Sequence, residues 1–84
     1  MNNQINTRSE YNEAMRTYMH LRYTARWYQS LLIKEVLSFE YIPEAHIPYC
    51  EADAKYYAEQ ADHADQAAED ILAQILEYEK REAA

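Results

Sequence analysis

Glycine is absent from this sequence and proline occurs only twice. A chain without the usual turn residues makes few turns, so long helices are expected in place of sheets. Cysteine occurs once, at Cys50. That excludes an internal disulfide and suits a reducing cytoplasm. No apolar run approaches the roughly 20 residues of a membrane-spanning helix, and mean hydropathy is −0.71. The opening MNNQINTRSE lacks the basic-then-apolar pattern of a secretory leader. The expected location is therefore cytoplasmic. The length allows one small helical domain over residues 1–84, with a thin core.

Charge is abundant but unevenly placed. Residues 1–34 carry Arg8, Arg16, Arg22, Arg26 and Lys34 against Glu10 and Glu13, a balance of +3. Residues 35–84 carry thirteen acids against Lys55, Lys80 and Arg81, a balance of −10 that brings the whole to −7. Such asymmetry arises when two halves attract each other, or when one acidic surface serves a basic partner.

The apolar residues keep a helical rhythm. Thr7 and Glu10 have capping-box spacing, so a helix is expected from about residue 8. Its a/d positions read Tyr11, Ala14, Tyr18, Leu21, Ala25, Tyr28 and Leu32, which carries it to about residue 38. A break within residues 22–30, giving three helices, is the alternative. FEYIPEAHIPY (39–49) interrupts the rhythm, because Pro43 and Pro48 disfavour helix at Ile42 and Ile47. Pro48 suits the first position of a second helix over about 48–81, with Glu51 and Asp53 in its first turns. The second seam runs Cys50, Ala54, Tyr57, Ala61, Ala64, Ala68, Ile71, Ile75 and Tyr78. The expected fold is all-α: an antiparallel two-helix hairpin, coiled-coil-like, with a corner at 39–47. Its Ala-rich seam makes room for Leu21, Tyr28 and Leu32 opposite.

Apolar residues also lie off the seam. Met15, Met19, Tyr23 and Trp27 recur at spacing four, Ile33 and Leu37 follow them, and Leu72 and Leu76 widen the second stripe. A hairpin with leftover apolar faces buries them by pairing, so a homodimeric four-helix bundle is expected. The alternative cover for the Met15–Trp27 stripe is a different protein.

Sequence signals for chemistry are weak. Zero glycine forbids a phosphate-binding glycine loop, and one cysteine forbids Cys-x-x-Cys. Glu59 and His63 are four apart, but two such groups are too few for a metal site and read as a solvated face. His46 and Cys50 flank Pro48 without an orienting acid or oxyanion donor, so Cys50 reads as a small residue packed at the corner. No enzyme activity, cofactor or metal is expected.

Two surfaces suggest binding. RYTARWYQ (22–29) interleaves Arg22 and Arg26 with Tyr23 and Trp27, a pattern that can grip nucleic acid through phosphates and stacking. Neutralisation of these arginines by the acidic second helix is the competing outcome. The second surface is acidic: Glu59, Asp62, Asp65, Glu69, Asp70 and Glu77 coat the second helix off its seam. ARWYQSL (25–31) resembles a helical segment of lambda-type phage nuclease inhibitors; the likeness spans seven of 84 residues, and no residue role is carried over from it. The expected function is that of a small acidic helical protein that regulates or inhibits a larger protein. In its sharper form it mimics nucleic acid toward a basic nucleic-acid-handling partner, in the style of phage and mobile-element inhibitors. The alternative is a dimeric RNA-binding regulator that uses Arg22 and Arg26.

Overall fold

A computed structural model describes residues 4–84. The first three residues of the segment read above for a leader lie outside the described residues. Helix α1 is Arg8–Ser38 and helix α2 is Ile47–Ala83, with a 3-10 turn at Glu44–His46 between them. The helices pack against each other as an antiparallel hairpin, and no strand occurs among the described residues. α1 runs unbroken through residues 22–30. The result is a rod of 60 × 21 × 17 Å. No helix among the described residues is long and apolar enough to cross a membrane.

α1 begins where the cap spacing places it. Thr7 is extended, and its hydroxyl accepts from the Glu10 amide at 3.1 Å. The Glu10 carboxylate reaches back to the amide of Asn6 at 3.4 Å, one residue before the cap. The reciprocal bond of the capping box is thus displaced outward by one position. Thr7→Ala should cost about 1 kcal/mol, because one helix-end donor loses its acceptor. Urea unfolding at fixed chain concentration measures it, and Thr7→Ser, which keeps the hydroxyl, should recover most of the loss.

The corner differs from expectation in two details. Ile42 is non-helical, as the proline after it requires, but Ile47 is helical at φ −57°, ψ −43° and opens α2 one residue early. The 3-10 turn runs directly into α2, and its momentum overrides the preference of a pre-proline residue for extended backbone. Pro48 still costs no hydrogen bond, because amides in the first turn of a helix have no internal acceptor. Glu51 and Asp53 lie beyond that first turn, which contains no acid.

Both expected seams face inward: every residue named in them is buried or half-buried. The size pattern is graded along the rod. Ala25 is 1 % exposed and Ala68 0 %, and Ala61 and Ala64 are buried with them. The Arg22–Asp65 and Tyr28–Tyr57 contacts fix the register, and Ala25, three residues from both Arg22 and Tyr28, is level with Ala61. Ala25 therefore meets Ala61 as small against small at the waist, while the same register sets Ala64 and Ala68 beside Leu21 and Tyr18 of α1 and Ala54 beside Leu32. Tyr28 packs on Tyr56 and Tyr57 toward the corner, with ring centroids 6.3 and 6.4 Å away. At the open end Tyr11 stacks on Tyr78 at 5.0 Å.

Among the described residues the open end carries the one cluster of bulky buried residues. Ile5, Ile75 and Tyr78 form it, with Tyr11, Ala14, Met15, Tyr18 and Ile71 packed around them. Ile5 precedes α1 and folds over the end of α2, where the Arg81 guanidinium donates to its carbonyl and also lies over the Tyr78 ring. The Tyr11 hydroxyl donates to the Glu79 carboxylate. That bond holds the Tyr11 proton, so its pKa lies above the usual tyrosine value.

Candidate partner-binding surfaces

The side chains outside the seam were grouped in the sequence by type; the fold regroups them by flank. Arg22 forms an ion pair with Asp65 at 2.9 Å, and Gln29 donates to the other oxygen of the same carboxylate at 3.3 Å. Among the described residues this is the one ion pair within 4 Å. Arg22 and Asp65, assigned in sequence to two competing surfaces, thus satisfy each other across the hairpin. The basic pair proposed for nucleic acid keeps only Arg26 unpaired.

The acidic coat divides. Asp62 and Glu69 lie three and four residues from Asp65, so they share its flank of α2. Glu59, Asp70 and Glu77 are separated by eleven and seven residues, close to whole numbers of turns. They form a row on the side of α2 turned away from the buried Ala61, Ala64 and Ala68. All three are exposed, and Asp70 accepts only from Gln66, one turn before it. Glu59, Asp62, Glu69 and Glu77 bond to nothing within the chain among the described residues.

The Met15–Trp27 stripe also divides. A strict spacing of four advances about 40° around a helix per step, so three steps turn it by roughly 120°. Met15, Met19, Arg22, Tyr23 and Arg26 line one shallow groove with Tyr18. Trp27 lines another with His20, Tyr23, Thr24 and Tyr28. Met19 is 66 % exposed and Trp27 56 %, but they address different sides of the rod. A single flat interface cannot use both ends of this stripe.

At the corner, Cys50 faces Glu35 of α1. Cys50 is half-buried, and its thiol is pushed up in pKa by burial and then by the hydrogen bond and charge of Glu35. A thiol with a raised pKa is a poor nucleophile. His46 is exposed, and the contact of Cys50 is Glu35 on α1, not His46. Glu59 and His63 are both exposed, and among the described residues no three His, Cys, Asp or Glu side chains come together as metal ligands would. No protein-family model, curated protein or solved structure matches this chain.

Proposed function

We propose that this chain is a non-enzymatic binding protein that regulates or inhibits a larger, basic protein through the outer side of α2. The observation that carries this reading is the row Glu59, Asp70 and Glu77: exposed carboxylates on the side of the rod away from α1, none taken up by a cation among the described residues. Eighteen residues of helix separate its ends, about 27 Å at 1.5 Å per residue. A stripe of that length matches the span of a basic groove that tracks a nucleic-acid backbone. The charge is sparser than on a nucleic acid, where each strand carries one phosphate per roughly 3.4 Å. The partner groove is accordingly one that reads a line of separated charges, and attraction at a distance contributes more to encounter than to final affinity.

Binding of this kind falls with salt. Protein retrieved from source-cell extract by the immobilised chain at about 50 mM salt should include a basic nucleic-acid-handling protein, released by about 500 mM salt. The variant Glu59→Lys/Asp70→Lys/Glu77→Lys should retain its helicity and lose that protein. Equal recovery by the reversed variant rejects the reading. Binding of structured RNA at low salt, lost in Arg26→Ala, would favour the nucleic-acid alternative instead.

A further inference from the structure

The flank that carries the Arg22–Asp65 ion pair differs from the rest of the rod. The register places Met15, seven residues before Arg22, level with Leu72, seven residues after Asp65. Met19 and Ile33 lie seven residues to either side of Arg26, and Leu37 is one turn beyond Ile33. On α2, Leu76 lies seven residues after Glu69, on the row of Asp62. Met19, Ile33, Leu37 and Leu76 are all exposed, and Met15 and Leu72 are half-buried. Of the five large aliphatic side chains left exposed on the helices, all but Val36 thus fall on one flank. On that flank the α1 side is basic, with Arg26 unpaired, and the α2 side carries Asp62 level with it and Glu69 seven residues further on, with Lys55 seven residues before Asp62 on the same row.

The exposed area shows what could cover it. A compact monomer of 10.0 kDa exposes about 5,200 Å². This chain exposes 6521 Å², an excess of about 1,300 Å², more than the roughly 800 Å² that each partner buries in a standard interface. A second copy brings the matching apolar surface in equal amount.

We propose that two copies pair face to face through this flank, about a two-fold axis parallel to the helices, so that α1 of one subunit lies on α2 of the other. Charge selects this axis. A two-fold across the helices would stack α1 on its own copy, arginine on arginine, and α2 on its own copy, acid on acid. A two-fold along them sets the basic helix on the acidic one and makes every neighbouring pair antiparallel, as in a four-helix bundle. Such an axis moves no residue along the rod, so the register within one hairpin carries over to the interface. Arg26, four residues after Arg22, is level with Ala61, four residues before Asp65. It therefore meets Asp62 of the partner subunit within one residue of rise, and Met15 meets Leu72 of the partner subunit. Trp27 lies on the other groove and stays outside the interface. This pairing does not rest on the partner-binding role of Glu59, Asp70 and Glu77, which remain on the outside.

A two-variant mixing experiment tests the proposal. The wild-type chain at about 50 μM should sediment at about 20 kDa, twice the 10.0 kDa chain. Arg26→Glu sets acid against acid at both symmetric sites, and Asp62→Arg sets base against base. Each alone should sediment as a monomer with unchanged helicity. Mixed in equal amounts, they present an opposite-charge pair at both sites and should form a heterodimer. A change confined to one hairpin cannot produce that rescue. A monomeric wild type, a single variant that stays dimeric, or a mixture that stays monomeric overturns the proposal; tighter pairing by Arg26→Glu would indicate α1 on α1. If either charge variant loses helicity, Met19→Lys and Trp27→Ala take its place: the first should be monomeric and the second dimeric, and the reverse overturns the proposal. The Glu59→Lys/Asp70→Lys/Glu77→Lys variant should remain dimeric, so failure of the pairing and failure of the partner reading are separate results.

Discussion

Tyr78→Ala should destabilise the hairpin by about 3–5 kcal/mol, the range for truncating a buried aromatic. Tyr78 is the largest buried side chain in the one bulky cluster, with Ile5 and Ile75 beside it. Its ring stacks on Tyr11 at 5.0 Å and lies under the Arg81 guanidinium at 5.7 Å. Truncation leaves a hole where α1, α2 and the segment before α1 all converge. A domain of this size has only about 5–15 kcal/mol in total. The expected result is a urea midpoint reduced by about a fifth or more, read by circular dichroism at one chain concentration, since association couples to stability. Tyr78→Phe keeps the ring and should stay within about 0.5 kcal/mol of the parent, as its hydroxyl makes no hydrogen bond among the described residues. Tyr56→Ala removes an exposed ring that pairs with Tyr28 and Tyr57 and should cost about 1–3 kcal/mol, the scale of two aromatic pairs. Equal losses in Tyr78→Ala and Tyr56→Ala would show that the open end is not the anchor of the fold.

The seams were legible because the three-four alternation of apolar residues reports one face of a helix directly, and burial follows it at every named position. Ile5 was not legible. It stands alone before the helix start, in a polar stretch, and periodicity has nothing to say of an isolated residue. Its signal is the pairing of an apolar residue just before a cap with one in the first turn, here Tyr11, which fixes the angle at which the chain enters the helix. The early start of α2 was hidden for a different reason. A local rule about the residue before proline was set against the continuity of a turn already formed at Glu44–His46, and continuity prevailed.

Side chains off the seam were harder still, because a helix wheel for one helix does not show where its neighbour ends. Arg22 and Asp65 are 43 residues apart, and only the antiparallel register makes them partners. Once that pair is placed, both surfaces change. The arginine patch loses half its free charge, and the acid coat separates into Asp62 and Glu69 beside the ion pair and Glu59, Asp70 and Glu77 on the outside. The Met15–Trp27 stripe was read from spacing, but spacing four is a ridge that winds around the helix rather than a straight face. It therefore feeds two grooves.

Ala68→Leu should cost about 1–3 kcal/mol, the range for overpacking a filled site, and more if the waist cannot widen. The alanine seam makes this effect large. Ala68 is 0 % exposed, and Ala25, Ala61 and Ala64 are buried along the same contact. By the register of the hairpin, Tyr18 and Leu21 of α1 lie beside Ala68 and leave no room around a side chain this small. Three added carbons at Ala68 must push the helices apart, and that separation is transmitted along a rigid rod to the Arg22–Asp65 pair on one side and to Ile71 and Ile75 on the other. Ala73→Leu is the control. Ala73 is exposed on the same helix, and Leu is nearly as good a helix former as Ala, so the change should stay within about 0.5 kcal/mol. Thermal melts of the two variants at one chain concentration compare a leucine inside the waist with a leucine outside it. A melting point for Ala68→Leu equal to that of Ala73→Leu would mean that the waist has room, and that the alanines are there for helix propensity alone.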